Sequence, residues 1–232
     1  PTFLGVEPFA RLVGHCRESF ASGPETEWAL ESTVSELTPE MVSCLSELGF
    51  ARLHLGVQTL QDEVREALSR RATAAAVLAT IRDAIDMGWI VSVDLIYGLP
   101  GQTLDGLLSD IRSLHAAGIN GFSLYELQLS SRNRAFIEKH DLRDRNRQVN
   151  YYLAQAASHL LGALGYRKTL FNHFADDRDT NTRYLVENAL QGFQEQVHGV
   201  GEQLQVVEDV EVLEVGDEVV DQRLKFAQCV EV

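Results

Sequence analysis

The 232 residues of this chain are 45% apolar and 23% charged, a composition that supplies at least one hydrophobic core and excludes a wholly disordered or collagen-like protein. Acidic residues outnumber basic ones by 34 to 20, and the net charge of −14 argues against nucleic acid or an anionic membrane surface as a partner. No apolar run reaches the roughly 18 residues that span a bilayer, and residues 1–20 lack the pattern of a signal peptide. The sequence therefore predicts a cytoplasmic protein with no membrane span.

The cysteines are Cys16, Cys44 and Cys229, which are too far apart for a disulfide framework or a CxxC-type metal motif. The chain begins on Pro1 instead of a methionine. We therefore expect that the numbering starts inside a longer protein and that these residues alone hold no metal.

Residues 1–70 contain the first predicted elements. A short apolar run predicts a strand over Trp28–Glu31. Thr38 is a favourable N-cap before Pro39, and Gly49 marks the end of the helix that they begin. A second strand over Ala51–Val57 and a short helix over Glu63–Leu68 follow.

Residues 71–140 repeat this alternation. Apolar residues recur at helical spacing from Val77 to Ile85 and from Leu104 to Leu114, and strands are predicted over Trp89–Tyr97 and Phe122–Leu127. The run WIVSVDLIY is apolar almost without alternation, which predicts a parallel strand covered on both faces. The spacing between strands is typical of βαβ units, so we predict an α/β fold with a parallel sheet, open or barrel-like.

The composition changes near Leu185. Residues 186–232 carry eleven acidic and two basic residues, a net charge of −9. Valine and leucine alternate there with acidic residues, as in a strand, but the dense like charge opposes packing. We predict three segments: a barrel-like domain over 1–140, a helix and strand over 141–185, and an acidic tail over 186–232. The tail is expected to be disordered or loosely attached, and a translation-frame error is the alternative explanation of its composition.

Polar residues at the ends of the predicted strands are the candidate functional residues, because ligands bind at the C-terminal ends of parallel strands. They are Glu31, Gln58, Asp94 and the pair Tyr125 and Glu126. A carboxylate in an apolar strand costs several kcal/mol unless it is paired, so Asp94 needs a ligand or a structural hydrogen bond. Glu31 and Gln58 are equally compatible with solvated strand ends.

Other polar residues carry weaker signals. The turn GLPGQT over 98–103 lets the backbone approach a ligand closely, although glycine is common in such turns. Arg70 and Arg71 offer a guanidinium fork for a carboxylate, or they form a solvated helix end. His54 is interpreted as a packed or surface histidine and His173 as a neutral core histidine, and no residue is nominated as catalytic.

Taken together and in order, several strings resemble the radical S-adenosylmethionine (SAM) proteins of the oxygen-independent coproporphyrinogen III oxidase family, including its heme-chaperone relatives. The resemblance extends from Pro1 to about Tyr184. The strings that carry it are ALEST at 29–33, GFARLHLGVQTL at 49–60, LSRR at 68–71, VDLIYGLPGQT at 93–103 and FSLYEL at 122–127.

The resemblance implies a partial TIM-like barrel with two cofactors, SAM and a [4Fe–4S] cluster. The CxxxCxxC loop that holds such a cluster would lie upstream of Pro1, so the chain is expected to be a fragment that lacks it. By the same resemblance, Glu31 and Gln58 contact the methionine amine or the ribose, Arg70 the carboxylate, and Asp94 the ribose. The residues implied near the adenine are Tyr97, Gly98, Leu99 and Pro100.

The implied activity is that of an oxidoreductase in which a 5′-deoxyadenosyl radical abstracts hydrogen from a porphyrinogen-like substrate. The implied partners are a tetrapyrrole and a reductant protein. The family string LGRxH is replaced here by LSRRA, which leaves Arg71 as an alternative to Arg70. The alternative functions are radical C-methylation or heme opening, a heme-binding chaperone without redox turnover, and an unrelated metabolic barrel.

Overall fold

The computed structural model describes residues 1–20, 23, 26–130, 134–142, 147–170 and 172–179, all within a unit that spans Pro1–Tyr184. The predicted acidic tail over 186–232 lies outside the described residues. The helices are α1 (Val6–Ser19), α2 (Pro39–Glu47), α3 (Asp62–Ala67), α4 (Ala74–Asp86), α5 (Leu104–Ala116), α6 (Arg134–Lys139) and α7 (Arg147–Ala163). The strands are β1 (Trp28–Ser32), β2 (Phe50–Gln58), β3 (Ile90–Tyr97), β4 (Gly121–Glu126), β5 (Arg167–Leu170) and β6 (His173–Ala175).

These strands form one sheet in the order β1-β2-β3-β4-β6-β5. The first four strands are parallel, whereas β6 runs antiparallel to β4 and forms a hairpin with β5. The helices that separate the parallel strands in sequence make this a mixed α/β protein, and the prediction of a TIM-like α/β fold is confirmed. The C-terminal ends of β1 to β4 consequently meet at one edge of the sheet.

The local signals in the sequence account for the helix boundaries. The hydroxyl of Thr38 accepts a hydrogen bond from the backbone N–H of Met41 at 3.3 Å, and Pro39 is the first residue of α2. Thr103 caps α5 in the same way, accepting from the N–H of Gly106 at 3.0 Å. In the part of the chain that the structure describes, none of the helices combines the length and the apolar character needed to cross a membrane.

The two faces of the sheet differ in chemistry. One face packs its aliphatic and aromatic side chains against the helices and forms the core; it includes Leu53, Leu55, Val91, Val93, Leu95 and Phe122. We call the opposite face the polar face, defined by Arg52, His54, Ser92, Asp94, Ser123 and His173, which are joined to one another or to their neighbours by hydrogen bonds.

The prediction that the strand over Trp89–Tyr97 is apolar on both faces is therefore wrong. Val91, Val93 and Leu95 are buried against helices, but Ser92 and Asp94 alternate with them on the polar face. The run looks uniformly apolar in sequence because only these two polar side chains interrupt it. They are accommodated by hydrogen bonds from the neighbouring strand instead of by an apolar layer.

A buried ionic network closes the end of the polar face at which the parallel strands begin. Arg52 donates to Asp179 at 2.7 Å and to Glu27 at 2.6 Å. His173 connects the other oxygen of Asp179, at 2.9 Å, to the hydroxyl of Ser123, at 2.8 Å. Side chains therefore fill this end of the sheet, which is the end of such folds that serves stability, and the opposite end is where a ligand is expected.

Candidate functional site

Glu31, Gln58, Asp94 and Tyr97 lie at or near the C-terminal ends of β1, β2 and β3. In the strand register, Glu31 stands opposite His54, and Asp94 stands opposite Gly56. The structure thus brings four of the predicted site residues, from three strands, to the same edge of the sheet.

Asp94 is held by His54, a residue that the sequence did not mark as part of the site. The His54 Nε2 atom lies 2.7 Å from Asp94 Oδ1, and the Nδ1 atom lies 2.7 Å from the hydroxyl of Ser92. Burial alone would lower the pKa of His54, but the hydrogen bond and charge of Asp94, together with the charges of Glu31 and Asp179, outweigh it and raise the pKa. His54 is therefore neither a simple core nor a surface histidine, but the ionic partner of Asp94.

Gln58 ends β2 with a backbone φ of +70°, in the left-handed region that non-glycine residues rarely occupy. A Cβ atom on Gly56 would lie 2.9 Å from the Gln58 Nε2 atom, so the Gln58 side chain lies over the space that Gly56 leaves open. Within the described residues, the Gln58 amide makes no hydrogen bond. A strained residue with an unpartnered amide at a strand end is typical of a binding site.

The backbone on both sides of Gln58 is fixed by Arg65, which is buried. Its guanidinium donates to the carbonyl oxygens of Val57 at 2.9 Å and Thr59 at 2.7 Å. The carboxylate of Asp110, from α5, accepts from the Thr59 hydroxyl at 2.6 Å and from the Leu60 N–H at 3.0 Å. The sequence contains no local signal for either contact, because both depend on how α3 and α5 pack beside β2.

Arg70 lies close to Arg65. Its backbone N–H donates to the carbonyl of Arg65 at 2.9 Å. Burial, and then the positive charge of Arg70, lowers the pKa of Arg65. Arg70 is half-buried, whereas Arg71 is exposed. Arg70 and Arg71 were the two alternatives for the carboxylate contact. Of these, Arg70 is the one that lies beside Arg65 at the end of β2.

The glycine turn after β3 is satisfied internally. The N–H groups of Gly98 and Leu99 donate to the Gln102 Oε1 atom at 2.8 and 3.3 Å, and the Gln102 amide donates to the Ile96 carbonyl at 2.9 Å. Those two N–H groups therefore bond within the turn and do not point to a ligand. Gly98 and Leu99 would contribute to a binding site through the shape of the turn. Gln102 was not identified as a candidate, although it lies inside the string GLPGQT.

A cavity of about 510 Å³ opens beside Tyr97, between the end of β4 and the first turns of α7. Its wall includes Glu126, Arg147 and Tyr151, and the amide of Asn150 donates to Glu126 at 2.6 Å. Burial, and then the charge of Glu126, raises the pKa of the Tyr97 hydroxyl. The volume is in the usual range for small-molecule sites, so a ligand has room beside Tyr97, but Glu31, Gln58 and Asp94 are not among the residues that line this cavity.

Known proteins resemble this chain in sequence and in fold. Residues 2–114 match the family model described as the radical SAM superfamily. Among curated relatives, the chain is 31% identical over 128 residues to heme chaperone HemW of Mycobacterium tuberculosis (strain CDC 1551 / Oshkosh), a match that covers 55% of this chain and 33% of the relative. It is 29% identical over 203 residues to oxygen-independent coproporphyrinogen III oxidase of Bradyrhizobium diazoefficiens, with 82% of this chain and 43% of the relative covered.

A solved structure of coproporphyrinogen III oxidase (HemN) from Escherichia coli, described as a radical SAM enzyme, superposes with a TM-score of 0.72 at 25% identity. The superposition covers 81% of this chain and 44% of that one. The chain thus spans a third to under a half of the length of these proteins.

Residues 2–114 therefore resemble a radical SAM domain. More particularly, the chain resembles the oxygen-independent coproporphyrinogen III oxidases and heme chaperone HemW, which confirms the resemblance inferred from its sequence strings. The cofactors implied by this superfamily are SAM and a [4Fe–4S] cluster.

The residues at the edge of the sheet fit the first of these cofactors. SAM presents a carboxylate, an amine and a diol, which together require a cation and several hydrogen-bond acceptors. For such a ligand, Arg70 would be the cation, and Glu31, Gln58 and Asp94 would be the acceptors. The cluster is different, because among the described residues there is no group of three or more His, Cys, Asp or Glu side chains placed to hold a metal.

Proposed function

We propose that this chain is the SAM-binding part of a radical SAM oxidoreductase that acts on a porphyrinogen-like tetrapyrrole and receives electrons from a reductant protein. The observation that carries the proposal is the row of polar side chains at the C-terminal edge of the parallel strands, where Glu31 is exposed and Gln58 and Asp94 are partly exposed. The similarity to coproporphyrinogen III oxidases supports the substrate class.

In this proposal the chain binds and orients the cofactor. The Asp94 oxygen that is not bonded to His54 accepts a hydrogen bond from a ribose hydroxyl. Glu31 and Gln58 form hydrogen bonds with the methionine amine or the ribose of SAM, and Arg70 pairs with its carboxylate. The edge around Tyr97, Gly98, Leu99 and Pro100 lies against the adenine. With a cluster present, the bound cofactor would supply hydrogen-abstraction chemistry, and the residues of this edge would bind and orient it.

The Asp94→Asn variant tests the binding role. It keeps the size of the side chain but removes its charge and one acceptor, so SAM affinity should fall by about 1–3 kcal/mol, the usual scale for an unmatched buried hydrogen bond. Calorimetric titration of SAM into the full chain, beside a thermal melt, measures both consequences. Asp105→Asn, on the exposed start of α5, is the matched control and should bind as the wild type does. Unchanged affinity with a lowered melting temperature would remove Asp94 from the site.

A second candidate function, heme binding by a chaperone without redox turnover, is favoured by the 31% identity to HemW. Titration of heme into the full chain, followed by absorbance, tests it. Saturable stoichiometric heme binding in a chain that does not bind SAM would favour the chaperone. C-methylation and heme opening would use the same cofactor site as the oxidoreductase, so product analysis of an active protein that contains this chain separates them.

A further inference from the structure

His54 is fixed at both ring nitrogens. Nδ1 lies 2.7 Å from the Ser92 hydroxyl, and Nε2 lies 2.7 Å from Asp94 Oδ1. Ser92 and Asp94 are both on β3, two residues apart. The His54 ring, on β2, therefore bonds to two successive side chains on the same face of the neighbouring strand. The ring cannot turn without breaking two hydrogen bonds, and each nitrogen's partner constrains the proton on the other.

The hydrogen bond with His54 restricts the rotation of the Asp94 side chain. One carboxylate oxygen is bound to His54, and within the described part of the chain the other oxygen has no hydrogen-bond partner. Asp94 stands opposite Gly56, which has no side chain, and the Gln58 amide borders the space that this glycine leaves. The unpartnered oxygen and the amide are an acceptor and a donor at one opening, the combination that recognises two adjacent hydroxyl groups.

The surrounding charges favour an imidazolium at His54. Glu31 faces it from β1, Asp94 from β3, and Asp179 from the segment after β6. On its own strand, the cation Arg52 is paired with Glu27 and Asp179. Burial lowers the pKa of His54, but these carboxylates outweigh it and raise the pKa, so a charged ring is available to pair with Asp94.

We propose that His54 is a positioning residue that orients the Asp94 carboxylate so that its unpartnered oxygen receives a vicinal diol, as in the ribose of an adenosyl ligand. This inference rests on the proposed function, and it adds a residue whose role the comparisons and the resemblance leave unassigned. The diol is bound by Asp94, and His54 acts through it.

The test compares two ligands that need no cluster: S-adenosylhomocysteine and its analogue that lacks both ribose hydroxyls. In the full chain, His54→Ala and His54→Asn both remove the contact with Asp94, the second because its side chain is too short. Each should weaken binding of S-adenosylhomocysteine by about tenfold. Neither should change binding of the dideoxy analogue, which has no diol for Asp94 to hold. His54→Gln, whose longer amide reaches Asp94, should recover most of the loss.

His159→Ala, at an exposed position on α7, is the control and should bind both ligands as the wild type does. Having two variants that lose the contact keeps the test valid if one of them does not fold, as judged by circular dichroism. Unchanged S-adenosylhomocysteine affinity in a folded variant would overturn the role of His54 alone, as would an equal loss for both ligands. Absence of binding by the wild-type chain would overturn the proposed function together with this inference.

Discussion

Asp94 and Asp179 are two carboxylates that this sheet accommodates in different ways. Asp94 is paired with His54 and keeps 14% of its side chain exposed, whereas the side chain of Asp179 is fully enclosed between Arg52 and His173. Both depend on their partners, because an isolated carboxylate in an apolar environment costs several kcal/mol. The residual exposure of Asp94 leaves it available to a ligand, and the enclosure of Asp179 makes it structural.

The ion pair between His54 and Asp94 predicts a particular pH dependence of stability. The pKa of His54 is raised in the folded chain, so the pair stabilises fully below the unfolded value of about 6.5 and this contribution is lost as the pH rises through the folded value. The difference in unfolding free energy between wild type and His54→Asn should therefore shrink from about pH 6 to about pH 9. Urea denaturation across this range measures it, and a difference that grows with pH would contradict the pairing.

Gly121 makes room for the buried network. A Cβ atom at this position would overlap the carboxylate of Asp179 and lie 3.1 Å from a ring carbon of His173. Gly121→Ala should therefore separate Asp179 from Arg52 and lower the free energy of unfolding by about 3–5 kcal/mol, the cost of leaving a buried charge unpaired.

Gly14→Ala is the control for this substitution. Gly14 lies in the middle of α1, where an added Cβ meets nothing within 4 Å, so the same change should raise stability by about 0.5–1 kcal/mol. Chemical denaturation of both variants measures the contrast. Wild-type stability in Gly121→Ala would show that the network is not required at that position.

At the scale of the elements, the end of β2 is braced by two helices. The strand finishes on a residue with positive φ, and helices α3 and α5 both hold the turn that follows it. Helix α3 contributes Arg65 and α5 contributes Asp110, so the Gln58 turn is supported from two sides. Such bracing lets a strained residue persist, because the surrounding structure determines its conformation.

Arg65→Lys tests the brace. Lysine carries the charge but cannot reproduce the fork that reaches the carbonyls of Val57, Thr59 and Ala72, so the free energy of unfolding should fall by about 1.5–3 kcal/mol. Arg71→Lys at the exposed neighbouring position should change it by less than about 0.5 kcal/mol. Equal stability of the two variants, measured by urea denaturation, would mean that the fork geometry does not matter.

The four parallel strands and the helices between them were predictable because their signals are local, whereas the range of α1 was not predicted. Thr38, Pro39 and Gly49 delimit α2 where expected, and the predicted strand over Ala51–Val57 differs from β2 by one residue at each end. The alternation of burial along β3 was missed, because its polar face consists of only a few residues that read as interruptions of an apolar run.

The site was predictable in part. Strand ends pointed to Glu31, Gln58 and Asp94, and the family resemblance pointed to Arg70. Their roles toward the cofactor remain proposals. His54, Arg65 and Asp110 were not found as supporting residues, because each acts through a contact that only the packed sheet and its helices create.

At the scale of the whole molecule, the charge is unevenly distributed. Residues 186–232 carry a net charge of −9 out of −14 and lie outside the described residues. The core, the polar face and the ionic network are all formed by residues before Tyr184.

We therefore predict that a chain ending at Tyr184 folds with the same free energy of unfolding as the full chain, because alternating valine and glutamate at high like charge bury little surface. Urea denaturation of both chains at equal salt provides the measurement. A truncated chain that is less stable by more than about 1 kcal/mol, well beyond the usual effect of a surface change, would show that the acidic segment packs on the fold.

The ion pair between Arg52 and Asp179 joins residues 127 positions apart in sequence. During synthesis the parallel strands emerge long before Asp179 does, and a domain of this kind acquires structure as it leaves the ribosome. Until Asp179 arrives, Arg52 has Glu27, which is 25 residues away, as an early partner. Completion of the buried network is therefore a late event in folding. In a nascent chain stalled before residue 179, this end of the sheet would be exposed to chaperones and proteases.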